Sequence, residues 1–116
     1  MKTLRLMILA GFLGAAAVRA DSTVSGIWQG RWLFVRFNIQ VAQWNSQVAG
    51  VATVRPVLGS TYVYHFNGTA EGNRLSGAHH SGHRFEGTRT TEDVVEGILT
   101  TRRGRTLRLT LRRSAP

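Results

Sequence analysis

His79, His80 and His83 are the densest titratable cluster in the chain. Imidazoles bind zinc, copper and nickel, and they change charge near neutral pH. The spacing suits a shared ion poorly. On a strand, His79 and His80 point to opposite faces, and no nearby cysteine or carboxylate completes a ligand set. A polar hairpin with exposed histidines around Ser81-Gly82 is expected there, with no metal. The acids are Asp21, Glu71, Glu86, Glu92, Asp93 and Glu96, most of them in expected turns, and no nucleophile motif or phosphate-cradling glycine loop accompanies them. The chain therefore reads as non-enzymatic and without a cofactor.

Binding has more to work with. Trp28, Trp32, Trp44, Tyr62, Tyr64, Phe66 and Phe85 supply apolar rings with a few polar tips, the material of small-ligand pockets. In a small barrel the same side chains can instead fill the interior. If a cavity exists, Trp32, Tyr62, Tyr64, Phe66 and Phe85 are the expected ligand contacts.

Arg102, Arg103, Arg105, Arg108, Arg112 and Arg113 crowd the last strand and the turn before it. A patch of this kind attracts an acidic protein or an anionic envelope component, with strong salt dependence. It also describes a solvated outer strand face whose charges protect an edge. Asn67-Gly68-Thr69 matches a glycosylation sequon, which has meaning only in a eukaryotic secretory route.

These side chains must be positioned by strands. Beyond Asp21 the apolar pattern has period two. Leu33, Val35, Phe37, Ile39 and Val41 alternate with Phe34, Arg36, Asn38 and Gln40; Tyr62, Tyr64 and Phe66 alternate with Val63, His65 and Asn67; Leu107, Leu109 and Leu111 alternate with Arg108, Thr110 and Arg112. A hydrophobic residue, any residue and a glycine recur at Val48-Ala49-Gly50, Phe66-Asn67-Gly68, Leu75-Ser76-Gly77, Phe85-Glu86-Gly87 and Val95-Glu96-Gly97. That interval of roughly ten residues is one short strand plus one tight turn, and glycines inside strands argue for curvature. The pattern predicts strands over residues 26–33, 34–43, 47–55, 61–69, 73–79, 83–90, 94–101 and 105–113. Turns are expected at Asn45-Ser46, Pro56 to Ser60, Glu71-Gly72, Ser81-Gly82, Glu92-Asp93 and Arg103-Gly104. Eight antiparallel strands in an up-and-down meander can close into a small barrel, which removes exposed edges. A curved open sheet or a two-layer sandwich is the alternative. Strands this short, ending in Arg112-Arg113, argue against a transmembrane barrel.

Gly26-Ile27-Trp28 at the start of the first strand, together with Arg113 at the end of the last, resembles the signature of the calycin superfamily, the lipocalin- and avidin-like barrels. The resemblance implies that Trp28 packs against Arg113 and closes one end. It also implies a small ligand held inside the barrel, or in some members inhibition of a secreted enzyme. The polar residues by which avidins hold biotin have no match here.

Lys2 and Arg5, an uncharged apolar run from Leu6 to Val18, and Val18-Arg19-Ala20 read as a cleavable secretory signal over residues 1–20, leaving one domain over residues 21–116. The apolar run is too short to span a bilayer as a helix. Cleavage leaves twelve arginines against six acids, a net charge near +6, with no lysine, methionine or cysteine. A secreted or periplasmic location follows, without a transmembrane span or disulfides, and export disfavours nucleic acid as the partner. The function expected is a binding protein for a small apolar or amphipathic ligand. The alternative is an interaction module, such as an enzyme inhibitor or envelope-surface binder, that uses loops and the arginine-rich edge.

Overall fold

The computed structural model describes residues 23–114. The expected export signal, residues 1–20, lies outside the described residues. Eight antiparallel strands follow one another: β1 (Gly26–Trp32), β2 (Val35–Trp44), β3 (Gln47–Pro56), β4 (Tyr62–Glu71), β5 (Arg74–Ala78), β6 (Arg84–Thr91), β7 (Val94–Thr100) and β8 (Thr106–Arg113). Each pairs with the next, and β8 returns to β1, so the expected meander closes into a barrel. The closing ladder is short, with Trp28 opposite Arg113 and Gln29 opposite Arg112.

The period-two pattern is what the barrel uses. Trp28, Phe37, Val48, Ala70, Val95, Leu109 and Leu111 point inward and are buried, while Arg31, Arg36, Arg55, Glu86, Glu96, Arg108 and Arg112 on the alternate positions are exposed. Apolar inside and polar outside is the reverse of a membrane-spanning barrel. No helix among the described residues is long and apolar enough to cross a membrane.

Two glycines show how the recurring motif bends the sheet. A Cβ on Gly68 would come within 1.8 Å of the Ser76 carbonyl oxygen, so β4 and β5 touch backbone to backbone. A Cβ on Gly97 would lie 2.4 Å from Cζ of Phe85 and 2.5 Å from the Glu86 carbonyl oxygen. The phenyl ring occupies the space that this glycine leaves, an aromatic covering a glycine in a coiled sheet.

The boundaries differ from expectation most at the first turn, and Pro56, expected in a turn, ends β3. Leu33 and Phe34 are not strand residues. They form the two-residue turn between β1 and β2, with Leu33 at φ 52°, because Trp32 already pairs with Val35. The sequence pattern places the strand break between residues 33 and 34, and the pairing register shows that both residues belong to the turn, with the inward phase passing from Trp32 to Val35. Elsewhere Asn45-Ser46 and Glu92-Asp93 turn as expected, and the turn at Glu71-Gly72 moves one residue on, to Gly72-Asn73.

The turns sort by end. Asn45-Ser46, Gly72-Asn73 and Glu92-Asp93 are all two-residue turns at one end of the barrel. The other end carries Leu33-Phe34 and the longer loops 57–61, 79–83 and 101–105. We refer to these as the closed end and the mouth.

Candidate functional site

The barrel interior is hollow. It holds a cavity of about 280 Å³, close to the lower bound of the roughly 300–1,000 Å³ typical of small-molecule sites. Val24, Trp28, Val48, Val95 and Leu111 make its buried floor, and Phe37, Ile39, Val54, Leu99 and Leu109 are among its apolar walls. Phe66 and Phe85 narrow it, their rings lying against Gly50 and Gly97. Inward polar side chains gather where the cavity approaches the mouth: Tyr64, His79, His83 and Thr101.

The floor is sealed by one interlocked group. Trp28 is 2% exposed, and its indole N–H donates to the Val24 carbonyl at 2.9 Å. This bond ties residues 23–25 across the end of the barrel. Arg113 lies with Cζ 4.8 Å from the indole centroid, within range of a cation–π contact. Its guanidinium donates to Asp93 Oδ1 at 3.0 Å and to the carbonyls of Thr23 at 3.1 Å, Ser25 at 2.8 Å and Glu92 at 2.6 Å. A rigid planar donor fork can serve the N-terminal segment and the β6–β7 turn together, which a lysine ammonium cannot do.

Arg89 is a second inward arginine, which the sequence reading passed over. It is 9% exposed, and its Nε and Nη2 donate to the Glu92 carbonyl at 3.1 and 2.9 Å. Burial, then the nearby Arg113 charge, hold its pKa below the usual arginine value, against the opposing pull of Glu92 and Asp93. The available signal was phase, since Arg89 follows Phe85 and Gly87 on the inward side of β6.

At the mouth, Tyr64 stands edge-on to His79, with centroids 5.1 Å apart, and to His83 at 5.4 Å. His79 Nδ1 accepts the Ser81 backbone N–H at 3.1 Å and lies 2.7 Å from the Ser81 hydroxyl. His83 Nδ1 accepts the Arg102 backbone N–H at 3.2 Å, joining loop 79–83 to loop 101–105. Both bonds need an unprotonated Nδ1. Desolvation, followed by the charges of His80, His83 and His65, lowers the His79 pKa. Among the described residues, no group of three or more histidines and acids is placed to hold a metal ion.

Of the residues expected to touch a ligand, Tyr64, Phe66 and Phe85 line the cavity, whereas Trp32 and Tyr62 do not. Alternation gives the face of a strand but not the depth along it. Trp32 is the last residue of β1 and Tyr62 the first of β4, so both stand at the rim, where Tyr62 stacks on Tyr64 at 6.5 Å. The arginines of the final strand are also dispersed. Arg102, Arg103 and Arg105 sit in loop 101–105 at the mouth, Arg108 is on the outer wall, Arg112 is near the closed end opposite Gln29, and Arg113 turns inward over Trp28.

Comparison with protein-family models, with curated proteins and with solved structures returns no match.

Proposed function

We propose that this protein is an exported, non-enzymatic binding protein with a calycin-like barrel that holds one small apolar or amphipathic ligand. Its apolar part would lie between Phe66 and Phe85, and its polar end would face Tyr64, His79 and His83. The observation that carries this reading is the hollow interior: an apolar cavity sealed at one end, whose inward polar lining side chains, Tyr64, His79, His83 and Thr101, gather at the other. A filled core of the same residues would have supported stability alone. Export is supported by the charged start and the apolar run ending at Val18.

Calorimetric titration with a series of n-alkyl carboxylates tests it. Affinity is expected to rise by about 0.8 kcal/mol per added methylene until the cavity is full, and then to level off. Replacing Ala52, which lines the wall, with Phe should bring the plateau to a shorter chain. Binding that never saturates, or that ignores chain length, would overturn the reading.

A further inference from the structure

We propose that the mouth end docks onto the surface of an anionic lipid bilayer, with Leu33, Phe34, Val57 and Leu58 entering the headgroup layer and a belt of arginines behind them holding lipid phosphates. This goes beyond the cavity and does not depend on its being filled.

The four apolar residues are 66%, 75%, 71% and 86% exposed in that order. They form one patch, because β2 pairs with β3 and the Val57 N–H donates to the Phe34 carbonyl at 3.0 Å, which fixes the two tips side by side. A shallow apolar groove runs between them over Phe34, Val35, Pro56 and Leu58. Leu33 is held at φ 52°, a conformation in which a branched side chain costs free energy and glycine or asparagine would not. A strained, solvent-exposed leucine contributes nothing to the core that would offset that cost.

The second observation is charge. Arg31 is the direct cross-strand partner of Arg36, and Arg36 of Arg55, so three exposed arginines stand in a row across β1, β2 and β3. Like charges placed opposite each other destabilise a sheet. The ion pair formed among the described residues is Arg113 with Asp93, at the closed end, and the row takes no part in it. Arg84 and loop residues Arg102, Arg103 and Arg105 add cations around the same end, and no mouth loop contains an acid. Glu71, Glu92 and Asp93 lie at the closed end. The mouth therefore presents arginines with no acid in its loops, whereas at the closed end Arg74, Arg89, Arg112 and Arg113 are offset by Glu71, Glu92 and Asp93.

The layering of these two features selects the partner. The apolar residues are at the very tips, and the arginine row lies two or three residues behind them, about 7–10 Å along the strand at about 3.3 Å per residue. A bilayer presents the matching order, phosphates first and hydrocarbon about 5–10 Å further in. Tyr62, exposed at the same rim, is the amphipathic type that settles at headgroup depth.

Co-sedimentation of the purified protein with vesicles tests the proposal, comparing phosphatidylcholine alone with phosphatidylcholine mixed with phosphatidylglycerol. Binding is expected to the mixed vesicles and to weaken as salt is raised. Replacing Arg31, Arg36 and Arg55 together with Gln should lower partitioning by about fivefold per charge, on the order of 100-fold in all. Phe34→Ser combined with Leu58→Ser should weaken it about tenfold or more, while Arg74→Gln at the closed end should leave it unchanged. All these positions are exposed, so circular dichroism should show every variant folded. Equal binding to neutral vesicles, no vesicle binding, undiminished binding by the Gln or Ser variants, or self-association of the chain through this face in place of vesicle binding would each overturn the proposal.

Discussion

The closed end and the mouth are built from the same eight strands under opposite rules. At the closed end local preference and tertiary role agree. Asn45, at φ 57°, is a residue type that tolerates the left-handed region, the turns are as short as hairpins allow, and each guanidinium facing inward finds carbonyls to serve. At the mouth they disagree. Leu33 occupies a position of the same kind, apolar side chains face water, arginines face arginines, and the loops lengthen. Natural chains keep such local conflicts mainly where function requires them. The comparison separates a floor that secures the fold from a mouth whose local conflicts the two proposals would explain.

The sharpest way to break this comparison is to remove Trp28. Trp28→Ala is expected to cost about 3–5 kcal/mol of stability, since it leaves a cavity in the floor and frees the Val24 carbonyl. Phe34→Ala at the mouth should stay within about 0.5 kcal/mol of the parent. Urea denaturation of both variants decides it, and equal losses would erase the distinction between the ends.

Arg113 offers a smaller effect that sharpens the account of the floor. Arg113→Gln should cost about 2 kcal/mol, because three carbonyls lose charged donors in a half-buried setting. Asp93→Asn should cost under about 1 kcal/mol, since that carboxylate is largely exposed and its pairing is screened by water. Thermal denaturation of the two variants side by side is the check. If the Asp93 variant were the weaker one, the ion pair and not the carbonyl fork would be holding the end together.

The smallest expected effect is a pH response at the mouth. Desolvation and the neighbouring His80, His83 and His65 hold the His79 pKa below the ordinary histidine value of 6.5. Above that value folded and opened loops are both unprotonated, and pH changes nothing. As pH falls through it, an opened loop takes up a proton before the ordered one does, so acid favours opening. A proton on Nδ1 also removes the acceptor for the Ser81 N–H. Amide exchange should show Ser81 losing protection on acidification while the floor around Trp28 does not change. Parallel loss at both ends would indicate general acid unfolding and sink the local explanation.

Much of the barrel was legible without coordinates, for physical reasons that can be named. Period-two alternation from Val35 to Val41 and from Leu107 to Leu111 states which side chains turn inward, because a strand has two faces and one faces the core. The glycine motif marked where strands coil. The break between residues 33 and 34 was legible, but not that both residues leave the strands, because apolar Leu33 and Phe34 read as strand ends until the register pairs Trp32 with Val35. Within the candidate site, Tyr64, Phe66 and Phe85 were found by phase, while Trp32 and Tyr62 share that phase and still stand at the rim. Arg89 was overlooked because a charge on an inward position looks like an exception until the Glu92 carbonyl is seen to meet it.

What the sequence determined by itself was therefore a periodicity: strand grammar, the inward face, the glycine rhythm and the composition of each turn. The tertiary structure alone decided depth and company. Whether the interior is hollow depends on how far the closed strands stand apart. Which arginines share an end depends on the register that sets Arg31 beside Arg36 and Arg55, and carries Arg112 and Arg113 to the opposite end from Arg102 and Arg103. Alternation repeats every two residues, so it is unchanged when a pair of strands slides by two; only the complete set of pairings, closed on itself, fixes which residues meet.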